Sequence, residues 1–203
     1  MLKNLEEKLK FIELIDEMKN INRAVLLKND RQETNAEHSF HLAMMILVFA
    51  DDLKEKIDIF KVLKLALVHD LVEIYAWDTI FLVDSKTKLN TKKQREENAF
   101  KKLKKEFWWI LPEILDLIKE FEERKTKESI FVYQIDRLQP LIQYVMEWWK
   151  GWHKWKFNKT KLIKKYDEIF KNDEFWLKEI VDKYFKKAEK ENLWKLNKKL
   201  VLN

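Results

Sequence analysis

The sequence predicts an all-α fold, on two observations. Apolar residues recur at three- and four-residue spacing along most of the 203 residues. No run alternates apolar and polar residues between turn signals, as half-buried strands do. Glycine occurs once, where average usage of about 7% would give roughly 14.

Each element follows from its own pattern. Leu5, Leu9, Ile12 and Ile15 make a helical stripe near the start. A polar loop is expected around residues 28–35. A second helix is expected over about 37–52, with His38, His41, Leu42, Met45 and Val48 or Phe49 along one side. A third, about 60–75, is almost wholly apolar until His69, which predicts a central, buried position. A loop at 77–90 leads to a charged helix at 91–106. Pro112 before Glu113 marks a helix start, because proline has no N–H to lose in a first turn. That helix ends near 123, and others are expected at about 128–149, 161–170 and 174–190. In the last, Trp176, Ile180, Tyr184 and Lys187 or Ala188 share helical spacing. No repeat, linker or low-complexity segment divides the chain. One domain over 1–203 is expected, with its chemical core at about 20–150 and a helical extension at about 160–190.

Composition excludes several classes. Hydrophobic residues at 46% and charged residues at 37% describe a globular chain rather than a disordered one. The absence of cysteine removes disulfides, thiolate zinc modules, iron–sulfur clusters and thiol nucleophiles. A single glycine leaves no Gly-rich phosphate loop, so any nucleotide chemistry must use side chains and metal. No apolar run approaches the length of a membrane span, and no membrane association is expected. The first twenty residues are amphipathic and carry acids, which fits neither a signal nor a transit peptide, and a cytoplasmic location is expected. Lys+Arg is 41 and Asp+Glu is 35, interleaved rather than in blocks, so a dedicated nucleic-acid interface is not expected from charge.

The chemistry centres on LALVHDLVEIYAWD. His69 and Asp70 stand together in an apolar helix, where an acid is costly unless something compensates it. A divalent cation would do so, since imidazole and carboxylate both ligate metals such as Mn²⁺, Co²⁺, Fe²⁺ or Zn²⁺. Neighbouring residues on a helix point about 100° apart, so further ligands must come from other helices. His38 lies on the apolar face of the preceding helix, and Asp136 sits in the apolar stretch SIFVYQIDRLQPLI. Pro140 removes the helical hydrogen bond to residue 136 and predicts a local distortion there. Glu73 lies one turn beyond His69 and Asp70, and Asp78 follows in the loop. His41, one turn from His38, reads as packing or support. Arg137 reads as a structural partner for an acid, and His153 in WWKGWHKW as a surface residue.

This arrangement resembles the HD-domain metal-dependent phosphohydrolases. The likeness rests on EHSFHLA at 37–43, HDLVEIYAWD at 69–78 and IDRLQPL at 135–141. It covers about residues 20–150, and the extended second block resembles the 5′-deoxynucleotidase-like branch. It implies an all-α HD-type bundle and a bound divalent ion, with Mg²⁺ also eligible. By the same likeness, His38, His69, Asp70 and Asp136 match the metal ligands. Glu73 matches the glutamate that orients or activates water, Asp78 the acid near the sugar hydroxyl, and Arg23 the phosphate-contacting arginine. Lys28 and Arg31 would add charge near the substrate. The implied reaction is hydrolysis of (deoxy)nucleoside 5′-monophosphates to nucleoside and phosphate, by a homodimer. Two other readings stand beside it: an HD phosphodiesterase acting on cyclic or polyphosphorylated nucleotides, and a basic helical nucleic-acid-binding module with a vestigial metal site.

Two positions depart from the family pattern. Trp77 stands where glycine usually precedes the sugar-contacting acid, and Ala24 where some members carry tryptophan. Phosphate-ester hydrolysis is therefore better supported than deoxyribose selectivity. Trp109 and Trp148 or Trp149 also stand where the family has glycine or a small residue. With 9 tryptophans against 1 glycine, one expectation is that some tryptophans are glycine codons (UGA) read as tryptophan; deliberate redesign is the competing account.

Overall fold

The computed structural model describes residues 4–53, 57–76, 86–147, 150, 158–171 and 175–194, with backbone alone at 86–90. Its helices are α1 (Leu5–Asp16), α2 (Asn35–Ala50), α3 (Ile59–Val68), α4 (Glu73–Ala76), α5 (Lys86–Phe107), α6 (Pro112–Glu123), α7 (Lys127–Met146), α8 (Lys159–Ile169) and α9 (Leu177–Lys190). A 3₁₀ turn, Glu17–Lys19, follows α1. The fold is the expected helical bundle, apart from one small hairpin.

That hairpin corrects the expectation of a plain polar loop. β1 (Asn22–Leu26) pairs antiparallel with β2 (Gln32–Thr34), with Asn22 opposite Thr34 and Leu26 opposite Gln32. Unequal arms put an irregularity in the register. β1 runs from exposed to buried along its length instead of alternating, so it left no two-residue period to read. The hairpin ends directly on α2, where Thr34 and Glu37 form a reciprocal capping box that satisfies the first free N–H groups.

α7 is the central element, packed on α2, α3, α6, α9 and β1. Phe131, Val132, Ile135, Leu138 and Leu141 on α7 are fully buried, against Leu42 and Ile46 of α2 and Val62, Leu65 and Ala66 of α3. α7 continues through Pro140 without a break. Pro112 opens α6 as expected.

Three expectations need revision. The stripe Leu5–Leu9–Ile12–Ile15 faces solvent, and α1 packs through Phe11 and Leu14 instead. On α2 the open choice between Val48 and Phe49 falls to Phe49, which packs inward as expected while Val48 is exposed. The helix expected over 60–75 breaks after Val68. Leu71, Glu73 and Ile74 donate to carbonyls three residues back, which tightens the backbone before α4 resumes. Phe60 and Leu67 on α3 are exposed, so α3 is buried on one face only. In α9 the buried line is Leu177, Val181 and Ala188, with Trp176, Ile180 and Tyr184 beside it.

Candidate metal centre

The break after α3 has a consequence for chemistry. It lies at His69 and Asp70, so the two side chains leave the tightened turn toward α2 and α7. His38 projects from the second turn of α2, and Asp136 from the middle of α7. One ligand atom each from His38, His69 and Asp136 lies within 4.8 Å of the others, all three residues being buried. His38 Nε2 is 3.0 Å from Asp136 Oδ1, and His69 Nε2 is 3.9 Å from the same oxygen. Asp70 stands beside this trio, its Oδ2 3.2 Å from His69 Nε2 and 3.9 Å from His38 Nε2. Residues from three separate parts of the chain thus converge on one point.

The donors fit a cation. His69 Nδ1 donates to the carbonyl of Ala66 at 2.9 Å, which leaves the Nε2 lone pair facing the cluster. That Nε2 is buried and makes no hydrogen bond. A lone pair 3.2 Å from a carboxylate oxygen is a repulsive contact until a proton or a metal ion comes between them. Burial pushes His69 down, but Asp70 outweighs it and the imidazole is raised above its ordinary value. Burial raises Asp70 and Asp136, yet opposing charges win at both. His69 and Arg23 hold Asp70 well below the usual carboxylate range, and Arg137 and His38 do so for Asp136. His38 is lowered, by burial first and then by Arg23, which favours the neutral form that ligates a metal. A cluster that keeps two carboxylates ionised in a buried place is built for positive charge.

Around it stand the other expected residues. Arg23 of β1 donates through Nη1 to Asp70 Oδ2 at 2.9 Å, and its Nε lies 3.4 Å from Glu33 Oε2. Glu73, at the start of α4, is 3% exposed and accepts from Asn35 Nδ2 at 2.6 Å. Arg137 Nη2 lies 3.3 Å from Asp136 Oδ2, the structural pairing expected of it. His41 is outside the trio, within 3.1 Å of Gln139 Nε2. Arg31 is bound to Glu37 and to the carbonyl of Gln32. Lys28 lines a separate cavity with Leu26, His41 and Met146. Asp78, Trp77, Trp148, Trp149 and His153 lie outside the described residues.

Five supporting residues were missed in the sequence: Glu33, Asn35, Gln139, Gln143 and Lys92, whose Nζ lies 3.9 Å from Glu73 Oε1. Glu33, 1% exposed, accepts from Gln139 and Gln143 at 2.8 Å each. Its other oxygen faces Arg23 Nε and, at 4.0 Å, His38 Nδ1. Glu33, Asn35 and Lys92 sit in segments that read as polar loop or charged helix. Gln139 carried a usable signal, being three residues beyond Asp136 and so on the same helical face.

The comparisons agree with this geometry. A family model described as HD domain matches residues 15–176. The mouse protein named 5′-deoxynucleotidase HDDC2 is 31% identical over 142 residues, 66% of this chain and 67% of its own length. The human protein of the same name is 32% identical, over 66% of this chain and 65% of its own. Among solved structures, one described as a predicted metal-dependent phosphohydrolase from Magnetospirillum magnetotacticum superposes with a TM-score of 0.75. It is 30% identical and covers 91% of this chain and 94% of its own. A conserved hypothetical protein from Pyrococcus furiosus has a TM-score of 0.64 at 26% identity, covering 88% and 99%. Among the described residues no helix is long and apolar enough to cross a membrane. With its two histidines and two aspartates gathered at the break between α3 and α4, and with these relatives, the chain belongs to the HD-domain family of metal-dependent phosphohydrolases.

Proposed function

We propose that this protein hydrolyses nucleoside 5′-monophosphates, deoxy forms included, to nucleoside and inorganic phosphate. The observation that carries the reading is the convergence of His38, His69 and Asp136, with Asp70 alongside, next to a buried, anchored Glu73. His38, His69, Asp70 and Asp136 would hold the divalent ion. When bound, the ion lowers the pKa of an attacking water and offsets charge on the phosphoryl group.

The chain's own side chains do the rest. Asn35 fixes one oxygen of Glu73, which leaves the carboxylate positioned to accept a proton from the water. Arg23 is anchored by Glu33 and Asp70, so its planar fork is already oriented at the cluster and spends little entropy in clamping a phosphate. Asp78 contacts the sugar hydroxyl on the family pattern. The active species is a homodimer by the same resemblance.

The test is a substrate panel. AMP, dAMP, dCMP, dTMP, a cyclic dinucleotide and p-nitrophenyl phosphate are assayed with Mn²⁺, Co²⁺ and Mg²⁺. The expected result is metal-dependent phosphate release from the monophosphates, abolished by chelation and by Asp70→Ala. Turnover of the cyclic dinucleotide alone, or of nothing, would overturn the reading.

A further inference from the structure

A cavity of about 480 Å³ opens between α5 and α6, its lining reaching Val72, the residue next to Glu73. Its size lies within the range of about 300–1,000 Å³ typical of small-molecule sites. Val72, Phe100 and Ile118 give it an apolar wall, and Lys92, Glu96 and Glu122 a charged one. A ring system with polar edges suits such a mixture, as a nucleoside does.

Lys92 belongs to both places. It lines the cavity, and its Nζ lies 3.9 Å from Glu73 Oε1 and 3.2 Å from Glu96 Oε1. Its side chain is 24% exposed, so the ammonium is largely withdrawn from water at the border between the proton-accepting glutamate and the cavity. Burial alone would drive the proton off, but Glu73 and Glu96 outweigh it and the amine is held charged. A phosphomonoester with its phosphoryl group at the metal cluster and its alcohol in the cavity would have to bring its bridging oxygen past Glu73 and Lys92, which stand between the two.

We propose that this cavity receives the leaving alcohol and that Lys92 protonates the departing oxygen. The inference rests on the phosphatase reading above. Water oxygen bonds to phosphorus, and the water's proton passes to Glu73. The bond from phosphorus to the ester oxygen breaks with its electron pair on that oxygen. Lys92 Nζ supplies a proton and the neutral alcohol leaves. Glu73 then returns its proton to the Lys92 amine, directly or through one water, and both residues are restored.

Leaving groups of different basicity separate this role from a structural one. An alkoxide such as the 5′-oxygen of dAMP needs a proton to depart, whereas p-nitrophenolate does not. Lys92→Met is expected to slow dAMP hydrolysis by about 10²–10³-fold and p-nitrophenyl phosphate hydrolysis by less than about 5-fold. Lys92→Arg keeps the charge but cannot release a proton, and it is expected to stay slow on dAMP. In Phe100→Ala, inhibition by deoxyadenosine is expected to weaken about 10-fold while inhibition by inorganic phosphate is unchanged. Equal loss on both esters, or full activity of Lys92→Arg on dAMP, would overturn the acid role. Unchanged deoxyadenosine inhibition would overturn the cavity's. Should Lys92→Met fail to fold by circular dichroism, Lys92→Arg still decides the matter. No turnover of either ester by the wild type would instead overturn the phosphatase reading, and this inference with it.

Discussion

Glu33 shows how much a single buried carboxylate can organise. It is the shared acceptor of two amides on α7, and its second oxygen faces both Arg23 and His38. Removing it strands donors that burial has already cut off from water, and the desolvation of each is then uncompensated. Glu33→Ala is therefore expected to destabilise the protein by about 2–4 kcal/mol, read by urea unfolding. Glu33→Gln keeps one acceptor oxygen and should recover part of that stability. It should still weaken metal binding by about 10–100-fold, because the charge opposite His38 is gone. Metal titration followed by isothermal calorimetry separates the two effects. The principal site residues were legible because each breaks the pattern around it: a histidine or acid in an apolar helix announces itself. Glu33 was not, because an acid among polar residues breaks nothing. Its burial arises only when β2 lies against α7.

At the scale of elements, α2 carries its own control. Arg31 and the backbone of Thr34 bind Glu37, and Arg31 above all holds the carboxyl down to about 2. A carboxyl lowered on folding contributes stability that is present above its unfolded value, near pH 4.5. The contribution is lost as pH falls toward 2. Glu37 is 40% exposed, so solvent screening keeps it small. The difference in urea midpoint between wild type and Glu37→Gln should be steady above pH 5, shrink as pH falls, and vanish only below about pH 2. At the start of α9, Trp176 adopts φ 55°, in the left-handed region where a side chain beyond glycine costs about 1–2 kcal/mol. Its ring packs on Phe49 and its Nε1 donates to the carbonyl of Asp52, so the ring's contacts and the backbone's cost oppose each other. Comparing two truncations isolates the backbone: Trp176→Gly is expected to be at least about 1 kcal/mol more stable than Trp176→Ala. That outcome would fit the expectation that some tryptophans here stand in for glycine.

Across the whole molecule, helices were legible and their docking was not. Period, with Pro112 for α6, placed α2, α6 and α7 within a few residues, because those signals are local. The outward stripe of α1 and the break after α3 were hidden, because they depend on which neighbour each helix meets. The break matters most, since a continuous helix would aim His69 and Asp70 differently. His38 and Asp136 are 98 residues apart in sequence and 3.0 Å apart in space. A polypeptide still emerging from the ribosome has made His38, His69 and Asp70 long before Asp136 exists. Any ion acquired by the full constellation therefore arrives late in biosynthesis, once α7 has been synthesised and inserted between its partners.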